Sequence, residues 1–238
     1  MSSTGSIGQS GLAGSPGRPG AVATGGGRVA MSARVLGVGA VAAPVLFLVG
    51  QALLPELPDD VAQAFDAMAA QRGRVLASGL LTSVGAFLFV AAVPVLAALV
   101  APGRRGAGVL RIGLALFGIG AFFDAVGEAV QTYAIDAATH PGVSRDAGLT
   151  VVQHLGTGVA GWLIGFWSIP VLAVGLVVAA VGLLRASWRP IWLPVLLIVG
   201  VVLAMAFAGQ GMIVALAQLP LTVALVGLAL PVLRMDGR

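Results

Sequence analysis

The chain has 238 residues, of which 58% are hydrophobic and 9% charged, and its formal net charge is +4. Soluble domains carry about 25% charged residues, so this composition excludes an ordinary soluble globular protein and indicates an integral membrane protein. The sequence contains no cysteine and no lysine, which excludes disulfides, thiolate metal sites and lysine Schiff bases. Nucleic-acid binding is not indicated, because the arginines flank apolar segments and do not form a basic domain.

The N-terminal segment, residues 1–33, is rich in glycine, serine and proline and has no apolar periodicity. It is therefore predicted to be a disordered tail. A typical signal peptide is not indicated, because the first apolar run begins only near Val35 and lacks a small-residue cleavage site.

Six apolar runs follow, which predicts an all-α, polytopic membrane protein with a six-helix transmembrane bundle over residues 34–234. The predicted spans are Val35–Leu54, Val75–Ala101, Val109–Ile135, Val151–Leu184, Ile191–Ala208 and Met212–Leu233. The fourth run exceeds the roughly 20 residues of a straight crossing. It should either project from the bilayer or break near Gly156, Gly158 or Pro170.

Charge differs between alternate connections of the six spans. Arginines without matching acids occupy the N-terminal tail and the loops after spans two and four, whereas acids outnumber arginines in the loops after spans one and three. Because arginine is retained in the cytoplasm, this pattern predicts that both termini are cytoplasmic. Within the first acidic loop, Asp59–Gln71 has apolar residues at helical spacing and is predicted to form either an interfacial helix or an ordinary helical loop.

Two carboxylates, Asp124 and Glu128, lie four residues apart inside the third apolar span. This spacing puts both on one helix face, about one turn apart. A carboxylate in hydrocarbon costs at least a few kcal/mol, so it is rarely left there without a partner or a function. The pair therefore indicates a polar site within the bundle, either functional or satisfied by glutamines and backbone groups.

Three glutamines are estimated to lie at a similar depth in the membrane to the two carboxylates. At about 1.5 Å per residue from the nearest cytoplasmic arginine, Asp124 lies roughly 20 Å along its helix and Glu128 roughly 25 Å. Gln51 and Gln218 come out near 25 Å and Gln131 near 30 Å by the same measure. These five residues are the predicted ligand- or proton-binding site, in the outer half of the membrane.

Two alternative motifs are weaker. His154 with Asp124 and Glu128 has the composition of a metal site, but it lies much farther along its span, and Asp136 is the better predicted ion-pair partner for it. The segment Gly156–Gly161 matches G-x-G-x-x-G, but a dinucleotide site needs a preceding strand, so helix packing is the better interpretation. No metal and no cofactor are predicted.

Glycines recur every seven residues on the third span, at Gly113, Gly120 and Gly127. Such a stripe of small residues allows two helices to approach closely. The third span is therefore predicted to be central in the bundle, with its carboxylates facing other helices.

The order of segments from Val35–Leu54 through the acidic loop to Gln71-Arg-Gly-Arg-Val-Leu-Ala-Ser78 resembles uncharacterised bacterial six-helix integral membrane proteins, filed as domains of unknown function. The resemblance covers roughly Arg34 to Leu233 and concerns layout and composition. It implies a multi-pass protein of the bacterial inner membrane and implies no activity.

Three classes of function fit these observations. The first is a non-enzymatic membrane protein that binds an apolar or amphipathic ligand, such as a small molecule or a lipid, or a partner, in an outer-leaflet polar cavity. The second is a small proton-coupled transporter that uses Asp124 and Glu128. The third is an intramembrane enzyme, for which no motif is found. The lipid bilayer is the one partner that the composition itself requires.

Overall fold

A computed structural model describes residues 26–158, 161, 167–207 and 212–235. Within these residues the chain forms eight α-helices and no strand. The helices are α1 (Gly26–Leu53), α2 (Val61–Ala70), α3 (Arg72–Ala97), α4 (Ala107–Ala138), α5 (Arg145–Thr157), α6 (Trp167–Arg185), α7 (Trp192–Ala206) and α8 (Met212–Met235). The prediction of an all-α protein is confirmed for this part of the chain.

Six of these helices form a closed ring. Each packs on the next in the order α1, α3, α4, α6, α7 and α8, and α8 packs back on α1. The connections α3–α4 and α6–α7 lie at one end of the ring, where Gly106 touches the backbone of Gly182 and Ala186. We call this the arginine end, because its loops carry Arg104, Arg105 and Arg189.

Length and composition support a membrane-spanning bundle. Five helices are long and apolar enough to cross a bilayer: α1, α3, α4, α6 and α8. The remaining ring helix, α7, is apolar but has only 15 residues. At about 1.5 Å per residue it rises only about 22 Å, which is less than a hydrocarbon core of about 30 Å. The five helices indicate a multi-pass membrane protein, and a sixth crossing stays a prediction.

The predicted end of the N-terminal tail is wrong. Helix α1 begins at Gly26, so eight residues of the predicted tail, 26–33, are helical; residues 1–25 lie outside the described part. This stretch contains Ala, Met and Arg, which favour helix, and hydrophobicity alone did not register them. The fourth run is divided, as one of its two predicted alternatives requires, because α5 ends at Thr157 and α6 begins at Trp167.

The break in the fourth run occurs at one of the predicted glycines. Gly158 leaves the helix with φ −72° and ψ 152°, and its N–H still donates to the carbonyl of His154 over 2.9 Å. Glycine is a poor helix former, and two lie within three residues here, so the helix ends where the intrinsic propensity falls. The earlier part of the run, residues 151–157, therefore belongs to α5.

Helices α2 and α5 cover the end of the ring opposite the arginine end. We call this covered end the cap end. The prediction of a helix within Asp59–Gln71 is confirmed: α2 starts at Val61, and the carboxylate of its N-cap, Asp60, accepts from the Gln63 N–H over 2.9 Å. Its apolar residues Phe65 and Met68 are buried in the protein, so α2 packs inward.

Helices α4 and α6 make the closest contact of the ring. A Cβ on Gly113 would overlap the backbone of Ala179, and one on Gly120 would overlap that of Leu172. From the other side, a Cβ on Gly175 would lie 2.7 Å from the Cα of Phe117. Glycine on both helices therefore brings the two backbones together, as the seven-residue stripe predicts for its first two members.

Candidate functional site

A cavity of about 490 Å³ lies inside the ring toward the cap end. Every ring helix contributes to its wall, and Leu57, Met68 and Val152 line it from the cap. All five residues of the predicted site are in this wall: Gln51, Asp124, Glu128, Gln131 and Gln218. The five residues estimated to lie at a similar depth along their helices therefore line one shared cavity.

The two carboxylates occupy adjacent turns of α4. Asp124 continues the row of Gly113, Phe117 and Gly120 that faces α6, and its carboxyl group hydrogen-bonds with the hydroxyl of Ser168, which is only 2% exposed. Glu128 lies one turn farther toward the cap. Among the described residues, no arginine forms an ion pair with either carboxylate.

The three glutamines come from three different helices, α1, α4 and α8. Gln51 and Gln218 are half-buried and Gln131 is exposed at the rim. None of their side-chain amides is held by a hydrogen bond to another described residue. Their donors and acceptors are therefore available to whatever occupies the cavity.

The hydroxyl groups in the wall serve helix packing. The Ser78 hydroxyl donates to the Gly50 carbonyl over 2.7 Å and joins α3 to α1, while the Thr82 hydroxyl donates to the Ser78 carbonyl over 3.0 Å. Thr132 lies against Gly79, where a Cβ would overlap its side chain. These groups hold α1, α3 and α4 together beside the cavity.

Aromatic and aliphatic side chains fill the bundle below the cavity. Phe47, Phe89 and Phe117, from α1, α3 and α4, form a row with ring centroids 5.8 Å and 5.5 Å apart. Beneath them lies a continuous apolar core that includes the fully buried Leu110 and Leu183. The polar site is thus closed toward the arginine end.

Arginines at the cap end form contacts that join helices there, and none of these contacts involves Asp124 or Glu128. The Arg72 guanidinium pairs with the Asp136 carboxylate at 2.8 Å, linking the start of α3 to the last turns of α4. The Arg74 guanidinium donates to the Leu53 carbonyl over 2.6 Å. The predicted pair of His154 with Asp136 is wrong, because Arg72 takes the carboxylate and the His154 Nδ1 lies 2.8 Å from the Thr150 carbonyl.

A bidentate ion pair joins the two cap helices. Arg145, the first residue of α5, donates from Nε and a terminal nitrogen to both carboxylate oxygens of Asp66 on α2, over 2.8 Å and 2.9 Å. These hydrogen bonds hold the pKa of Asp66 below its ordinary value of 3.8 and raise that of Arg145. Both side chains are about half exposed, so the pair is largely solvated.

The described residues offer no metal site. No group of three His, Cys, Asp or Glu side chains is close enough there to hold an ion, and His154 is exposed on α5. The G-x-G-x-x-G match follows a helix and contains the end of α5 at Gly158, so it lacks the preceding strand that a dinucleotide site needs.

Comparisons of the chain with protein-family models, with curated proteins and with solved structures give no match. The resemblance to six-helix bacterial membrane proteins therefore stays a prediction, and the candidate function depends on the geometry of the cavity.

Sequence reasoning missed Ser168 and Thr132, although signals for both exist. Ser168 lies 17 residues before Arg185, so the same measure of depth puts it at about 25 Å, level with Glu128. Thr132 extends the four-residue spacing of Asp124 and Glu128 by another turn. Small hydroxyl residues are common in membrane helices, which makes them inconspicuous beside carboxylates and amides.

Proposed function

We propose that this chain is a bacterial inner-membrane protein that crosses the bilayer six times, has both termini in the cytoplasm and binds a ligand in the cavity between its helices. Arginine at the arginine end and acids at the cap end support this orientation. The place of α7 in the ring, between α6 and α8, supports a sixth crossing.

The observation that carries the proposal is the convergence of the polar residues on one cavity. Two carboxylates and three amides surround a cavity of about 490 Å³. Within the described part of the chain, the carboxylates have no cationic partner and the amides have no hydrogen bond. Ligand cavities of about 300–1,000 Å³ with mostly apolar walls and a few convergent polar groups are typical binding sites. Burying such groups is costly, so a binding function accounts for their retention.

A proton-coupled transporter is the alternative that the same carboxylates support. Transport needs a route from the cavity to the arginine end, where the phenylalanine row and the apolar core now lie. A rearrangement of this core would be required in every cycle. Proton flux into liposomes that contain the purified chain, with Asp124→Asn as the comparison, tests this alternative.

Identifying small molecules that copurify with the chain tests the proposal. The protein is isolated from native membranes, and bound lipids and metabolites are quantified by mass spectrometry for the wild type and for Ala204→Trp. Ala204 lines the cavity, so the indole should fill it and displace the ligand. The matched control is Val202→Trp, on the exposed face of the same helix.

We expect one class of molecule at near-stoichiometric amount in the wild type and in Val202→Trp, and a loss of at least about ten-fold in Ala204→Trp. The same set of molecules in all three proteins would contradict binding in the cavity. Thermal unfolding of the three proteins checks that each is folded.

A further inference from the structure

The charges in the cavity wall all have one sign. Among the described lining residues Asp124 and Glu128 are the ones that can carry a charge, and no arginine or histidine accompanies them. An anionic ligand head would meet repulsion here in a medium of low dielectric constant, whereas a cation would neutralise the site. The nearest ion pair on the same helix, that of Asp136 with Arg72, lies two turns beyond Glu128 and is complete in itself.

The hydrogen-bonding groups distinguish between kinds of cation. The carboxylates accept hydrogen bonds, and the amide oxygens of Gln51 and Gln218 can accept more. Quaternary ammonium groups are instead recognised by aromatic cages, and Phe47 is the one aromatic residue in the described wall. The site therefore suits an ammonium group that carries N–H donors.

The cavity is apolar toward α6 and α7. Ile169 on α6 and Met205 on α7 both line it, and they are 50% and 45% exposed. The contact between α6 and α7 is also the least extensive in the ring. An apolar chain attached to a head group in the cavity could extend between these two helices toward the hydrocarbon of the bilayer.

We infer that the ligand is a cationic amphiphile with a protonated amine. Its ammonium group lies between Asp124 and Glu128, donates to them and to the glutamine amides, and its hydrocarbon chain leaves the bundle beside Ile169 and Met205. This inference rests on the proposed function, because it names the class of ligand for the same cavity.

The test uses amphiphiles that share a twelve-carbon chain and differ in the head group. Dodecylamine, dodecyltrimethylammonium, dodecanoate and dodecanol are each titrated into the full chain in a zwitterionic detergent, and bound molecules are counted by native mass spectrometry. We expect dodecylamine to bind with one-to-one stoichiometry and about ten-fold or more tighter than the other three, because it alone forms charge-assisted hydrogen bonds to the carboxylates.

A double variant, Asp124→Asn with Glu128→Gln, removes both negative charges and keeps similar shapes. We expect its preference for dodecylamine over dodecanol to fall to within about three-fold, while dodecanol binding persists and shows that the cavity is intact. The matched control is Glu56→Gln with Asp59→Asn, which removes the same charges from exposed loop residues. It should keep the full preference.

The outcomes separate the ligand class from the proposed function. Binding of dodecanol or dodecanoate that Ala204→Trp abolishes, with dodecylamine no tighter, would overturn the inference and leave a ligand cavity. Equal binding of dodecylamine and dodecyltrimethylammonium would overturn the role of the N–H donors. Binding of all four that Ala204→Trp does not alter would contradict both the inference and the cavity's function.

Discussion

Helix α4 packs differently in the two halves of the helix ring, the half toward the arginine end and the half toward the cap end. Toward the arginine end, Gly113 meets the backbone of Ala179, and Leu110 and Phe117 are almost completely buried. One turn beyond Gly120, the same face presents Asp124, which hydrogen-bonds with Ser168, and the next turn presents Glu128 to a cavity. Along one helix, close apolar packing thus changes to polar residues around open space.

This difference shows which part of the bundle contributes most to its stability. Membrane helices associate largely through close packing, so the glycine contacts near the arginine end hold the ring together. The centre of the cap end is a cavity, although Gly50 and Gly79 still bring α1, α3 and α4 close together beside it. Hydrogen bonds and ion pairs join α2, α3, α4 and α5 at this end. One half is closely packed at its centre, and the other surrounds the cavity.

The largest effect is expected where α4 and α6 touch. In Gly175→Leu the new side chain would collide with the Phe117 backbone, so the free energy of unfolding should fall by about 3 kcal/mol or more. The control Ala173→Leu, two residues away on the same helix, points a similar side chain into the cavity wall and should cost less than about 1 kcal/mol. Unfolding in a mixed-detergent titration measures both.

Equal losses for these two variants would remove the distinction between the halves. It would mean that the wall near Ala173 is as closely packed as the contact at Gly175.

Removing an acid from the cavity should stabilise the protein. Glu128→Gln eliminates a carboxylate that has no cationic partner among the described residues, and we expect a gain of about 1 kcal/mol in the free energy of unfolding. Asp124→Asn should gain less, because Ser168 already satisfies part of that carboxyl group. The exposed Glu56→Gln serves as the control and should change little.

A loss of stability in Glu128→Gln would instead identify this carboxylate as a structural clamp. The case for a functional site would then lose its main energetic support.

A third prediction concerns the cap. Asp60→Ala removes the side chain that accepts from the Gln63 N–H, so α2 should lose about 1 kcal/mol of local stability. Hydrogen exchange should rise in residues 61–70 and stay unchanged in α4, because α2 packs on α5 and α3 and has little contact with α4. The neighbouring Asp59→Ala, which makes no such bond, is the control. Faster exchange in α4 would show that the cap and the ring unfold together.

The smallest effect is expected at the ion pair between Asp66 and Arg145. Because the pKa of Asp66 is below its ordinary value of 3.8 when folded, the pair contributes stability above that value. The contribution is lost as the pH falls through the lowered pKa. Titration of the Asp66 carboxyl carbon by NMR should show the lowered midpoint, and Arg145→Gln should return it toward 3.8. An unchanged midpoint in Arg145→Gln would contradict the role of this hydrogen bond.

The sequence predicted the ring helices and the composition of the polar site because hydrophobic length and charge are local signals. Distance along a helix was enough to bring Asp124, Gln51 and Gln218 to one level, and all three line one cavity. The direction in which each side chain points was not available from distance alone. The structure supplies this direction, because all three residues line the same cavity.

Partners across the bundle could not be predicted in the same way. Depth along the spans predicts a pair of Asp136 with His154, yet Arg72, which is 64 residues away, takes the carboxylate. Arginine is the stronger competitor, because its fixed charge and several donors favour a carboxylate over a histidine. The sequence predicts three possible positions for a break in the fourth apolar run, and the structure has the end of α5 at one of them, Gly158. Low helix propensity indicates where a helix can end, but it does not distinguish among several such positions.

The contact of α1 with α8 makes the first and last helices of the ring neighbours, with Gly37 against Leu233. A chain emerging from the ribosome therefore cannot complete the ring until its final helix has been made. Until then Gln51 and the α4 carboxylates lack the wall that Val214 and Gln218 provide. The ring of helices is thus completed in one late step, when α8 packs on α1. Truncation within α8 should leave a membrane-inserted chain whose polar residues face lipid, and such a chain should be degraded.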